Sequence, residues 1–425
     1  MSEINTNQTY VAASNDENKN YALPLAAMTT LFFLWGFITV LNDVLIPRLK
    51  GVFDLSYTEA MMIQFCFFSA YFVISLPAGA LVKKFGYKNG VLSGLLIASA
   101  GCLLFYPAVV VHEFWLFLGA LFVLASGITI LQVSANPYVA ALGPAKTASS
   151  RLNLAQALNS LGTTIGPYVG AMLLFGAAGT LAADAGTADN VKVPYLMLAA
   201  ALLTIAVVFA FLKLPTIAAH SEEQDCVAKG HTLTEAPHLM FGVAAIFCYV
   251  GGEVAIGSFL VNYFGQANIA GLEEHAAAKL IAYYWGGAMV GRFIGSAALQ
   301  KVLPSNALLF NAICIIALLI ITMNTSGNIA MYSVLAIGLF NSIMFPTIFS
   351  IAIDGLGSLT SKGSGWLCLA IVGGALVPLL QGVIADSAGI QLSFVIPLIC
   401  YVYIAWYAKS YVKLHSVWHE KVGLK

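Results

Sequence analysis

Several side chains in this sequence could do chemistry in places where polar groups are costly. Asn42 and Asp43 stand side by side within the apolar stretch WGFITVLNDVLIPRLK, and Glu253 stands near the middle of FCYVGGEVAIGSFLVNYF. Ionisable groups inside such runs usually face a bundle interior or a water-filled cavity. Burial disfavours the charged form of an acid, so a carboxyl group there can take up and release a proton, or hold a sodium ion with neighbouring oxygens. Asp43 and Glu253 are therefore the candidate sites for a coupling ion, H+ or Na+. The structural alternative is a hydrogen bond to a neighbouring helix or, for Asp43, an ion pair with Arg48.

Amides form the second group. In RLNLAQALNSLGTTIGPYVGAML, Gln156, Asn159 and Thr163 recur at i, i+3 and i+7 and share one helical face, with Asn153 one turn earlier. Gln132 and Asn136 lie in LQVSANPYVAALG, and Asn341 lies in FNSIMFPTIFSIAIDGLG. Asn and Gln both donate and accept, which suits a sugar hydroxyl that also needs both; hydrogen bonding between helices is the competing use. Trp285 and Trp366 stand beside glycines inside apolar runs and could offer a flat face to a sugar ring, although Trp366 near a helix start also suits packing. Trp115 and Trp418 are expected in the interfacial aromatic belt.

The elements that hold these groups follow from composition. Of 425 residues 60% are hydrophobic and 9% charged, too few charges to coat a water-soluble globule. An α-helix needs roughly 20 apolar residues to cross the hydrocarbon layer. Such runs recur at about 21–46, 58–82, 89–110, 114–142, 152–175, 193–212, 238–264, 274–299, 305–323, 329–353, 364–385 and 391–411. The fold class expected is an all-α membrane protein of twelve spans, since the alternation of a membrane β-barrel is missing. Glycines 79, 86, 286, 287, 291, 295, 373 and 374 are expected to let helices approach closely.

Cytoplasmic loops retain Lys and Arg. With the amino terminus inside, Arg48, Lys50, Lys192 and Lys279 are outside, while the rest of the 19 basic residues, Arg292 among them, fall on the cytoplasmic side. Both termini are then cytoplasmic. Residues 1–20 are polar, lack the features of a cleaved signal, and read as a disordered tail. Bundles at 21–214 and 238–411, a cytoplasmic linker at 215–237 and a tail at 412–425 complete the division. The seven scattered cysteines support neither a disulfide framework nor a zinc site, and zero net charge argues against a nucleic-acid partner.

The halves repeat weakly. Laying Pro137 on Pro346 brings Gln132 onto Asn341, each amide five residues ahead of its proline; Pro167 with Gly170 is echoed by Pro378 with Gly382; Asp43 and Glu253 lie in the first and seventh spans. Three coincidences in the same order favour two related six-helix halves, with a binding site between them near mid-membrane.

GALVKKFGYKNG is similar to the loop between the second and third spans that marks the major facilitator superfamily, with Lys83 where many members have an acid. FFLWGFITVLNDVLIPRLK, GITILQVSANPYVAALGP, SSRLNLAQALNSLGTTIGP and YVGGEVAIGSFLVNYF together resemble the fucose:proton symporter family, most of all its glucose/galactose transporter branch, from Leu31 to Asp386. The resemblance implies a twelve-helix fold, alternating access and uptake of a monosaccharide with an ion. It implies ion coupling through Asp43, whereas the second acid of fucose symporters is Gln132 here, which cannot titrate. Gln132 then fits contact with sugar, and Glu253 is left to help Asp43.

The expectation is a bacterial inner-membrane, multi-pass sugar importer, monomeric, without a cofactor. Asn42, Gln132, Asn136, Asn153, Gln156, Asn159, Trp285, Asn341 and Trp366 are its candidate substrate contacts. N-acetylglucosamine or L-fucose is the alternative cargo, and a non-transporting sugar sensor the alternative class. No nucleophile with a base, metal-ligand spacing or phosphate-binding glycine loop supports an enzyme or an ATP-driven pump.

Overall fold

The computed structural model describes the backbone of residues 22–53, 57–111, 113–175, 192–212 and 230–423, and their side chains except at 22, 39–53, 57–64, 167–175, 192–194, 274, 275, 278 and 279. The described residues form fourteen α-helices. The first group comprises α1 (Ala22–Phe53), α2 (Tyr57–Val111), α3 (Phe114–Ala141), α4 (Ala148–Phe175) and α5 (Lys192–Phe211). The second comprises α6 (Pro237–Gly265), α7 (Glu274–Ala298), α8 (Pro304–Asn324), α9 (Gly327–Asn341), α10 (Met344–Ala352), α11 (Thr360–Leu369), α12 (Gly373–Ala388), α13 (Ile390–Ser393) and α14 (Val395–Lys421).

Twelve spans map onto these fourteen helices because helix count and span count differ at four places. α2 holds the second and third spans, and its backbone breaks at Gly86 (φ 82, ψ 166), a left-handed conformation that only glycine adopts cheaply. Gly86 was expected to pack against a neighbouring helix; nothing lies within 4 Å of where its Cβ would be, so its use is the turn itself. The tenth span is interrupted at Ser342 and Ile343, the eleventh by a 3-10 turn at Ala370–Val372, and the twelfth at Phe394. Pro237 and Pro304 open α6 and α8 at the position where a missing N–H costs nothing.

Seven helical stretches among the described residues are long and apolar enough to cross a membrane, with shorter apolar helices at Leu23–Ile38 and Tyr195–Phe211. Lys88 beyond the α2 break donates to the carbonyls of Ala210 and Leu212 at 2.9 Å each, closing the end of α5. The end of the molecule where α5 finishes and α6 begins is called the linker-side end below.

At that end the chain after residue 411 belongs to the bundle, since α14 continues to Lys421. Trp418 corrects the belt expectation: it is fully buried and donates its indole N–H to the Gly355 carbonyl at 2.8 Å. Trp115, by contrast, is exposed. Before α6, Thr232 and Glu235 form a capping box around a 3-10 turn. His231, Lys421 and Thr232 hold the Glu235 carboxyl well below the ordinary carboxylate range.

Within the first group α2 packs along α3 and α5, and α1 along α4; within the second, α6 packs on α12 and α14, and α9 on α7 and α8. The groups meet where α4 lies on α7 and α10, and where α2 and α3 lie on α11. A small, wholly apolar cavity separates α1, α2, α3 and α5, lined by Leu31, Leu34, Trp35, Ile38, Leu95, Ala98, Ile128, Leu131, Leu202 and Ile205.

Candidate functional site

Gln132 is buried on α3 and donates Nε2 to the Tyr71 hydroxyl of α2 at 2.6 Å. At the end of α9, Asn341 donates Nδ2 to the Tyr284 hydroxyl of α7 at 2.7 Å and accepts from Tyr401 of α14 at 2.5 Å. The two amides that the proline alignment matched thus each donate to a tyrosine, one in the second span and one in the eighth. Sequence reasoning missed both tyrosines, which carry no signal in the sequence beyond a phenol hydroxyl within an apolar run.

The prolines act through what they lack. Without an N–H, Pro137 leaves the Val133 carbonyl without its partner one turn on, and Ser364 of α11 donates to that carbonyl at 3.0 Å. Pro346 frees the Ser342 carbonyl in the same way, and Arg292 Nε of α7 donates to it at 3.2 Å. Arg292, counted among the cytoplasmic basic residues, lies near the end of α7, part-buried.

Arg292 also crosses between the groups. Its Nη1 donates to Ser160 Oγ and reaches the Gln156 carbonyl of α4 at 3.5 Å. Its own carbonyl accepts from Asn153 Nδ2 at 2.9 Å. Nearer the linker-side end, Ser150 donates to the Ser296 carbonyl at 2.6 Å and Ser296 to the Ser150 carbonyl at 3.1 Å, while the Ser149 and Ser350 hydroxyls meet at 2.5 Å. Along α2 and α11, a Cβ on Gly79 would stand 2.9 Å from the Ser361 carbonyl and one on Gly365 2.7 Å from that of Ser75. These contacts close the two groups against each other at the linker-side end.

The remaining candidates divide by whether their polar atoms are engaged. Asn159 donates to the Phe32 carbonyl of α1 at 2.9 Å, and Gln156 is buried on the α4 face toward Arg292. Asn136 is fully buried with neither amide atom hydrogen-bonded among the described residues, and Asn153 Oδ1 is likewise unpaired. An unpaired buried amide is costly, so these atoms are the ones most in need of a partner. Glu253, part-buried on α6, accepts from Tyr249 one turn earlier at 2.7 Å.

Trp285 is 42% exposed and packs edge-on against Tyr284, with ring centroids 5.1 Å apart. Trp366 packs against the apolar core. Asn42 and Asp43 fall within α1, but their side chains lie outside the described residues. No group of three or more His, Cys, Asp or Glu able to hold a metal occurs among the described residues.

A family model described as Major Facilitator Superfamily matches residues 25–370. The chain is 58% identical over 391 residues to a protein of Brucella abortus named "Glucose/galactose transporter", covering 92% of this chain and 94% of that one. It is 32% identical over 423 residues to the "L-fucose-proton symporter" of Escherichia coli, covering 95% and 96%. A crystal structure of FucP in the outward conformation superposes with a TM-score of 0.83 at 32% identity, covering 92% of this chain and 99% of that one.

Proposed function

Because the chain belongs to the Major Facilitator Superfamily, we propose that it imports a monosaccharide of the glucose/galactose type together with a proton, by alternating access. The observation that carries this reading is the 58% identity over nearly the whole chain to a protein named for those two sugars. The relative named as a proton symporter favours H+ over Na+. The bundles 21–214 and 238–421 move against each other as units, and the chain works as a monomer in the inner membrane with both termini in the cytoplasm. The linker-side end is then the cytoplasmic end, and the conformation described here is closed toward the cytoplasm.

Sugar binds between the bundles. Gln132, Asn136, Asn153, Gln156, Asn159 and Asn341, with Asn42, supply donors and acceptors to its hydroxyls, and Trp285 and Trp366 supply apolar faces. Asp43 carries the coupling proton, with Glu253 as a second acid. Coupling requires ion and sugar to favour the same transition, since a ligand shifts an equilibrium only through differential affinity.

The test is uptake of a panel of labelled monosaccharides into proteoliposomes at two pH values, with and without sodium. Glucose and galactose uptake should follow the proton gradient and ignore sodium. Asp43→Asn should abolish accumulation against a gradient while sparing exchange. Sodium-dependent uptake would overturn the choice of ion, concentrative uptake by Asp43→Asn the role of Asp43, and absence of counterflow for every sugar would favour a sensor.

A further inference from the structure

Tyr71 has no place among the sugar contacts named above, although it holds one of them. Its ring packs against those of Phe67 and Phe68, with centroids 5.6 and 6.5 Å away, and only 3% of the residue is exposed. Ser75, one turn later, donates to the Tyr71 backbone carbonyl. Packing of this kind makes the phenol hydroxyl a fixed point. The three rotatable bonds of a glutamine, by contrast, leave its amide free to turn unless one end is tied. The tie is the 2.6 Å bond from Gln132 Nε2 to that hydroxyl.

The pair stands where the two helix groups meet. Tyr71 lies fifteen residues before the break at Gly86, roughly 22 Å along α2, and so beyond the approaches of Gly79 to Ser361 and of Gly365 to Ser75 that close the linker-side end. Its neighbour Phe68 faces α12, where a Cβ on Gly374 would stand 3.0 Å from the ring. Next to Gln132, the Val133 carbonyl accepts from Ser364 of α11.

The matched amide of the second half is held differently. Asn341 is engaged at both ends, Nδ2 with the Tyr284 hydroxyl and Oδ1 with that of Tyr401, and is 0% exposed. What it has left as a donor is a single N–H. Gln132 is 6% exposed, and its Oε1 takes part in no hydrogen bond among the described residues. An amide oxygen can only accept, so the free end of Gln132 calls for a donor.

We infer that Tyr71 is a positioning residue of the sugar site: by engaging Nε2 it turns the Gln132 carbonyl oxygen toward the sugar, so that the site requires a hydroxyl that donates at this point. The two matched amides then recognise the sugar unequally, Gln132 by accepting from a hydroxyl and Asn341 by donating one N–H. This inference rests on the proposed sugar import and adds to it a residue and a polarity. No proton is transferred in it, and Asp43 keeps the coupling role.

The test uses the full chain in proteoliposomes, with labelled glucose in counterflow and the monodeoxyfluoroglucoses as competitors, since fluorine in place of a hydroxyl cannot donate. Wild-type counterflow is measured first; its absence would remove the import reading itself, whatever Tyr71 does. Given counterflow, one fluorinated glucose should compete about tenfold more weakly than glucose, the scale of a lost hydrogen bond that leaves its acceptor unpaired, and Gln132→Ala should abolish that difference. Tyr71→Phe removes the hydroxyl and keeps the ring, which frees the amide to offer either end. It should bring the same difference to within about twofold, and it should change nothing further when added to Gln132→Ala. A difference that survives Tyr71→Phe or Gln132→Ala, or that no analogue shows in the wild type, would overturn the inference while leaving sugar import intact. Should Tyr71→Phe fail to fold, Gln132→Asn withdraws the amide from the hydroxyl by one methylene and should lose the difference in the same way; its persistence there would equally overturn the inference.

Discussion

Gln132 and Tyr71 share one hydrogen bond in a buried setting, and that bond uses one of the several that a glutamine amide can make. In the proposed import, its remaining capacity serves a sugar hydroxyl. Removing the amide should cost about 0.5–1.5 kcal/mol of binding, the net worth of a typical hydrogen bond, so Gln132→Ala should raise the sugar concentration for half-maximal uptake roughly three- to tenfold. An unchanged value would assign Gln132 to packing. The amides were legible in the sequence because a polar residue in an apolar run has no cheap place to be. Their tyrosine partners were not, because a tyrosine in such a run looks the same whether its ring fills the core or its hydroxyl completes a site. The contacts of Arg292 were not legible, because counting basic residues by loop gives no weight to a guanidinium that can reach across an interface.

At the scale of helices, proline and glycine set the geometry. Pro137 and Pro346 each free a carbonyl that a neighbouring helix then occupies, so a break in one helix becomes a bond between two. Gly79 and Gly365 let α2 and α11 approach until their backbones nearly touch. A side chain at 365 has nowhere to go in the closed state, and overpacking of this kind costs about 1–3 kcal/mol. Gly365→Val should therefore shift the population toward the form open at the linker-side end by about tenfold, seen as faster maleimide labelling of Ser361→Cys from that side. Labelling at the unmodified rate would mean that the seam yields without opening. The spans themselves were legible from apolar length, whereas the interruption at Ser342 and Ile343 was not, since nothing in FNSIMFPTIFS separates a kinked helix from a broken one.

Across the whole molecule, the linker-side end of the second helix group is fastened by contacts between segments far apart in sequence. Trp418 near the end of α14 is buried beside His231 and His238, and it bonds to Gly355 beyond α10. Lys421 meets Glu235 at 2.9 Å ahead of α6. Replacing a buried tryptophan by alanine typically costs about 3–5 kcal/mol. Trp418→Ala should lower the melting temperature of the purified protein and leave the half-saturation for sugar unchanged. A shift in half-saturation without loss of stability would instead tie this corner to the site. The sequence suggested an interfacial role for Trp418 because its neighbours are polar; burial arises only once α14 folds back over the start of α6.

The apolar hollow beside Trp35 has one more implication. Side chains of four helices border it and no polar atom belongs to the lining residues' side chains apart from the indole nitrogen of Trp35, so such a space stays dry. A dry void makes the first helix group compressible, and pressure favours whichever arrangement has the smaller volume. Hydrostatic pressure therefore becomes a handle on how α1, α2, α3 and α5 pack around this hollow, one that leaves every charge and hydrogen-bonding group in place.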